Sequence, residues 1–305
     1  MKAVIVDEPF KLRIAEVPDP EIKKDDEVKI KVVAGGICGS DVGIYRGTNS
    51  LATYPRIIGH EYGGEVIEVG SAVTNVKVGD IVSVDPVRYC GHCYACTHGR
   101  HNVCNTLEVT GVHCDGGFAE YVVAPSEACY KLDTTKISKD LCGLVEPYSI
   151  GSEVNHRANT GEGDKVLVMG SGPIGVTIMQ VAKARGAWVM MTDLVDERLA
   201  KAKDMGADVV VNVSKEDLKE VVMKYTDNEG ATVVVDSVCS VDSFPQALDL
   251  ACPAGRVVTL GTGNKPSAIA EVDVTKKELD VLGSRLSNFR FPEVIELFEK
   301  GAVTP

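Results

Sequence analysis

No run of apolar residues in this chain reaches the roughly 20 that a bilayer-spanning helix needs, so no membrane partner is expected. An export signal is missing too, because the one apolar run near the start, Ala3 to Val6, is cut by Asp7, Glu8 and Pro9. Positive charge is short: 32 Lys and Arg stand against 44 Asp and Glu, for a net charge of -12. Such a balance repels a phosphate backbone and removes the electrostatic attraction behind most non-specific nucleic-acid binding, so no nucleic-acid partner is expected. Internal repeats and low-complexity tracts are absent as well. Without an export signal the expected location is cytoplasmic, where disulfides are disfavoured. The ten cysteines are then thiols or metal ligands.

A chain of 305 residues exceeds what one hydrophobic core usually serves, which predicts two domains. Up to about Cys129 the chain reads as short β-rich pieces, among them Glu27 to Ala34, Gly64 to Val69 and Ile81 to Val84, broken by Gly, Pro and Asp turns. From Gly163 strands alternate with helices. Six strands are predicted at Lys165 to Met169, Trp188 to Thr192, Val209 to Val211, Thr232 to Asp236, Arg256 to Leu260 and Leu279 to Leu282. That alternation predicts an open parallel sheet, covered by helices on both faces. A last helix is expected from about Pro292 to Lys300.

The first of these strands runs into Gly170-Ser171-Gly172-Pro173-Ile174-Gly175, a G-x-G-x-x-G spacing between a strand and a helix. Gly170 would make the tight turn, Gly172 would let the backbone approach a pyrophosphate, and Gly175 would let the helix pack closely. Asp193 ends the second strand, where a carboxylate accepts ribose hydroxyls and repels a 2′-phosphate, which favours NAD over NADP. Arg198, in the helix that follows, completes the candidate cofactor residues. The competing reading, a tight connection with no ligand, is disfavoured by the placement of Asp193.

Cys90, Cys93, Cys96 and Cys104 form C-x2-C-x2-C-x7-C in a Gly- and His-rich lobe at about 88–106, the pattern of four thiolates closing on one structural zinc. An iron–sulfur cluster uses similar ligands, and His92, His98 and His101 lie in the same lobe. A second, dispersed set comprises Cys38, His60 and the glutamates Glu61 and Glu146; three such donors leave one zinc position open for a substrate oxygen. Singly, each has a duller reading as a buried core residue or a surface carboxylate. The remaining cysteines, Cys114, Cys129, Cys142, Cys239 and Cys252, share no ligand spacing and read as small buried residues.

Gly59-His60-Glu61-Tyr62-Gly63-Gly64 with Gly70 and Val73, Cys38-Gly39-Ser40-Asp41 and the four-cysteine lobe together resemble the zinc-containing medium-chain dehydrogenases over essentially the whole chain. Tyr54-Pro55-Arg56, Gly111-Val112-His113, Asp115-Gly116-Gly117-Phe118, Glu146-Pro147 and Gly283-Ser284-Arg285 are similar to the branch acting on polyols and sugar acids, such as sorbitol, L-idonate and L-galactonate 5-dehydrogenases. The resemblance implies a GroES-like catalytic domain at 1–150 and a Rossmann NAD-binding domain at 151–284. Residues 285–305 would begin a segment returning to the catalytic domain and cut short at Pro305. It also implies two zinc ions per chain, with the catalytic one on Cys38, His60 and either Glu61 or Glu146. Asp41 would orient His60. Ser40 would take the proton of the zinc-polarised hydroxyl as hydride passes to the nicotinamide. Arg285 would bind a substrate hydroxyl or carboxylate.

One departure concerns the proton relay: many relatives carry histidine two residues after the aspartate, where this chain has Gly43, leaving Tyr45 or water to pass the proton on. A homodimer or homotetramer is expected from the family. Two other functions compete: dehydrogenation of L-threonine or a simple alcohol, and a non-catalytic zinc-stabilised binding or regulatory protein.

Overall fold

The computed structural model describes residues 1–263 and 265–305. The chain divides into two units, one of Met1–Pro147, Ser287–Glu299 and Pro305, the other of Tyr148–Leu286 and Lys300–Thr304.

Antiparallel pairing builds the first unit. Among the described residues, its larger sheet has five strands in the spatial order Cys129–Lys131, Ile81–Val84, Glu61–Val69, Glu27–Gly36, Tyr121–Pro125. Period-two alternation buries Val28 and Ile30 completely on one face, against Tyr62, Val66, Val82, Val84 and Val122. The Glu27–Gly36 strand outruns the predicted end at Ala34, and register shifts after Lys29 and Val32 bring Gly36 opposite Glu61. Such irregularities re-aim side chains next to functional sites. The helix Phe291–Glu299 also belongs to this unit, with Phe291 stacked on Tyr130 at 5.2 Å and Lys136 3.3 Å from Glu299.

Asp85, just past the Ile81–Val84 strand, is buried and accepts the Val87 N–H at 2.9 Å. Burial pushes its carboxyl up to about 7, opposed by that one hydrogen bond. An unfolded aspartate releases its proton near pH 4, so the folded chain keeps a proton that the unfolded chain has lost. Stability therefore falls as pH rises from about 4 through 7, and the whole cost of the buried charge is present above that. Asp85→Asn keeps the acceptor and removes the charge. Its Tm should exceed wild type by roughly 5 °C at pH 8 and by little at pH 5. Equal melting curves at the two pH values for wild type would refute the assignment.

The second unit carries, among the described residues, six parallel strands in the order Val209–Asn212, Trp188–Asp193, Lys165–Met169, Ala231–Asp236, Ala251–Thr259, Asp280–Gly283. Alternate residues of one strand go to opposite cores: Val166 and Val168 join Val189, Met191 and Val233, while Leu167 and Met169 join Met190, Val234 and Val257. Both faces are apolar because helices cover both, the expected doubly wound sheet. Of the five cysteines expected to be buried, Cys129 and Cys142 are, Cys114 and Cys252 are half-buried, and Cys239 is exposed. Cys239 occupies a left-handed turn after the Ala231–Asp236 strand, its N–H donating to Asp236 Oδ1 at 3.0 Å, where a loop leaves the sheet for solvent.

Candidate active site and metal centres

Cys38 caps the helix Gly39–Arg46, an element absent from the sequence expectation. Its N–H donates to Asp41 Oδ2 at 2.8 Å, which closes the first turn and orients the thiol-bearing residue. Asp41 Oδ1 faces His60 Nδ1 at 3.6 Å, and neither atom has a hydrogen-bond partner among the described residues. His60 and Glu61 enter the Glu61–Val69 strand, and the donor atoms of Cys38, His60 and Glu61 all lie within 4.8 Å of one another. Gly36 makes room: a Cβ there would collide with the Glu61 carboxylate. Burial works against a charged His60, yet Asp41, Cys38 and Glu146 together push its pKa up to about 11. The acidic and thiol neighbours of His60 favour positive charge there, which fits a cation on this mixed S, N, O donor set.

Glu146 is not in that cluster. It is fully buried nearby in electrostatic reach of His60 and Glu61, and burial pushes its carboxyl up to about 8. Ser40, in the first turn after Cys38, is half-buried. Arg285 is exposed and belongs to the second unit.

In the lobe, Cys93 Sγ lies 3.6 Å from Cys96 Sγ and 3.8 Å from Cys104 Sγ, and Cys90 Sγ lies 4.0 Å from Cys96 Sγ. A disulfide would need about 2.05 Å. Four thiolates about 2.3 Å from one tetrahedral zinc stand about 3.8 Å apart. Backbone N–H groups of Cys90 and Thr106 donate to Cys104 Sγ at 3.3 and 3.4 Å and hold its pKa down, at about 6, so the thiolate is the favoured form.

In the second unit, Gly170 has φ +100, a left-handed turn that directs the chain from the Lys165–Met169 strand into the helix Pro173–Ala184. A Cβ on Gly172 would meet nothing within 4 Å, whereas one on Gly175 would collide with the Gly170 carbonyl. The middle glycine therefore leaves open space at the helix N-terminus, and the last one permits close packing. Pro173 is the first helical residue, and Ile174 packs on the apolar core. Asp193 Oδ2 accepts the Ser171 N–H at 3.0 Å and faces Arg198 Nη1 at 3.6 Å, while Oδ1 accepts the N–H of Leu194 at 2.8 Å.

Sequence reasoning missed what shapes the approach to His60. Gly59, at φ +98, leaves its carbonyl to accept the Gly117 N–H at 2.8 Å, and side chains on Gly111 or Gly116 would strike that backbone. Arg56 pairs with Asp115 at 3.0 Å on the same brace. Of the residues that resemble the polyol branch, Gly111, Gly116 and Gly117 thus do backbone work in this fold. Their glycine density was the available signal.

The family described as an alcohol dehydrogenase GroES-like domain matches residues 24–134, and that described as a zinc-binding dehydrogenase matches 173–300. The chain is 42% identical to the starvation-sensing protein RspB of Escherichia coli K12, across 100% of this chain and 89% of that protein. It is 36% identical to a sorbitol dehydrogenase of Halalkalibacterium halodurans, across 89% and 80%. A crystal structure of the rspB alcohol dehydrogenase from E. coli CFT073, complexed with NADH, superposes with a TM-score of 0.94 at 41% identity, covering 100% of this chain and 89% of that one. The four clustered cysteines form the structural zinc site, and the Cys, His and Glu donors form the catalytic one. With a metal-donor set of each kind and a cofactor loop in place, the chain belongs to the zinc-containing medium-chain alcohol and polyol dehydrogenases.

Proposed function

We propose that this chain oxidises a secondary alcohol of a polyol or sugar acid with NAD as hydride acceptor. The observation that carries the reading is the convergence of half-buried Cys38 with buried His60 and Glu61 into one donor set, which supports Glu61 over Glu146 as the third ligand. When bound there, zinc supplies Lewis acidity toward the substrate hydroxyl. Ser40, two residues beyond Cys38, takes the hydroxyl proton. Asp41 keeps the imidazole of His60 in place from behind. With glycine at position 43, the proton passes onward through Tyr45 or water. Arg285 binds a second hydroxyl or a carboxylate of the substrate, and its planar fork suits a carboxylate.

NAD is favoured because Asp193 presents its charge where a 2′-phosphate would sit and holds Arg198 toward itself. Asp193→Ala frees Arg198 for a phosphate. The ratio of kcat/KM for NAD over NADP should fall by about 100-fold, roughly 2.7 kcal/mol of discrimination. An unchanged ratio would remove Asp193 from cofactor selection.

The decisive assay is NAD reduction at 340 nm with hexitols, hexonates, L-threonine and short alcohols, each with and without a zinc chelator. Chelator-sensitive turnover confined to hexitols or hexonates is the expected outcome. Turnover of threonine or short alcohols instead would replace the substrate assignment, and silence from zinc-replete protein would overturn the enzymatic one.

A further inference from the structure

Asn212 ends the strand Val209–Asn212 and is buried there, although asparagine is depleted in strands and a buried amide is costly unless it is hydrogen-bonded. Its register partner on the neighbouring strand is Asp193, the carboxylate proposed to meet the cofactor ribose. All four hydrogen-bonding positions of the Asn212 side chain are spent inside the protein. Nδ2 donates to the Leu194 carbonyl at 3.3 Å and to Asp196 Oδ1 at 2.6 Å, while Oδ1 accepts the Ser214 N–H at 3.0 Å and the Ser214 hydroxyl at 2.6 Å. None is left for a ligand. The amide instead grips the 194–196 connection from its carbonyl side. Asp193 grips the same connection from the other side, its Oδ1 accepting the N–H groups of Leu194 at 2.8 Å and Val195 at 3.1 Å. Apolar burial does not hold these residues, for Leu194 is 66% exposed and Val195 38%. Polar contacts from the next strand do, and the Val213 N–H adds one to the Asp193 carbonyl at 3.2 Å.

We infer that Asn212 is a positioning residue for cofactor selection: by fixing the 194–196 connection it fixes the two N–H groups that aim the Asp193 carboxylate, and so sets the preference for NAD over NADP without touching either. This rests on the reading of Asp193 as the group that meets the ribose. A carboxylate whose Oδ1 is held by two N–H donors keeps one orientation, with Oδ2 turned to the Ser171 N–H at 3.0 Å and toward Arg198. When the connection is released those donors move and Asp193 gains freedom. Its attraction for ribose hydroxyls and its repulsion of a 2′-phosphate then weaken together. Arg198 rides on the helix Asp196–Asp204, which begins at the residue that Asn212 holds, so the same release loosens the cation beside Asp193.

The test titrates the zinc-replete chain with NADH and with NADPH and reads nicotinamide fluorescence, so that binding is measured without turnover. Asn212→Ala should weaken NADH about tenfold, the worth of one well-aimed hydrogen bond to a charged group, and leave NADPH within about twofold. Equal weakening of the two cofactors is the mark of a merely structural role and overturns the inference. Asn212→Asp separates the two ends of the amide. It keeps the acceptor for Ser214, loses the donor to Leu194 and sets a second carboxylate against Asp196, so selectivity should fall at least as far. Selectivity preserved in Asn212→Asp would assign the residue to Ser214 alone and overturn the inference. Should these variants fail to fold, Asp196→Ala, which removes the exposed carboxylate at the far end of the 2.6 Å contact, must lower the ratio in the same direction, and a ratio unmoved there is equally fatal. Added to Asp193→Ala, Asn212→Ala should lower the ratio no further, because both act through one carboxylate. A further loss of about tenfold in that double variant would show that Asn212 acts by another route. A ratio unmoved by Asp193→Ala overturns instead the reading of Asp193 on which the inference depends.

Discussion

Replacing His60 with alanine should lower turnover by roughly a thousandfold or more and reduce bound zinc from two ions per chain to one, with NADH affinity unchanged. Residues behind a metal ligand typically cost 10- to 100-fold when removed, and a ligand costs more. His60 is the centre of its cluster: it touches the fields of Cys38, Glu146 and Asp41, and its loss leaves a half-buried thiol and a buried carboxylate with no imidazole to complete a site. Asp41→Ala provides the graded comparison. It removes only the group 3.6 Å behind the imidazole and the Cys38 N–H acceptor, so it should cost about 10- to 100-fold and keep most of the metal. Metal analysis alongside kinetics decides between the readings. Two zinc ions retained in an active His60→Ala variant would remove this cluster from the chemistry.

Cys104→Ser should be the most damaging single change to stability. Its sulfur stands 3.8 Å from Cys93 Sγ and accepts two backbone N–H groups, so the substitution removes a ligand and the acceptor that organises the lobe. Binding of a structural zinc is worth about 10–16 kcal/mol in small zinc-organised peptides, as large as the whole stability of an ordinary domain. The lobe has little apolar core to fall back on, for Tyr94 is 77% exposed and the buried side chains there are chiefly Cys96, Asn102 and Cys104. Expected results are one zinc per chain, a Tm lowered by more than about 10 °C, and new proteolytic cleavage between residues 88 and 106. A variant with wild-type Tm would show that the lobe is ornamental to folding.

Linear spacing carried part of this assignment. C-x2-C-x2-C-x7-C places four ligands within one short loop, so a local motif contains the whole site, and the sulfur separations follow from it. The glycine loop is local in the same way: strand, turn and helix are contiguous from Lys165 to Ala184, and each of the three glycines has one backbone job that no other residue performs as well. Even Asp193 was legible, because the second strand of a doubly wound sheet must end beside the first.

The dispersed donors were a different case. Cys38, His60, Glu61 and Glu146 come from a helix cap, a strand entry and a second helix more than a hundred residues apart in the chain, and each alone reads as an ordinary core or surface residue. Pairing of Gly36 with Glu61, set by two register shifts, draws Cys38, His60 and Glu61 together and leaves Glu146 outside the group. Composition and pattern by themselves determined the α/β and β architecture, the phosphate-binding turn and the four-thiolate site, because those are written in hydrophobic period and short-range spacing. Only the tertiary structure gathered Glu61, and not Glu146, beside Cys38 and His60, and showed that glycine-rich family markers brace the backbone at Gly59. Each of those depends on contacts between residues far apart in sequence, where register, bulges and left-handed turns set distances that no linear motif encodes.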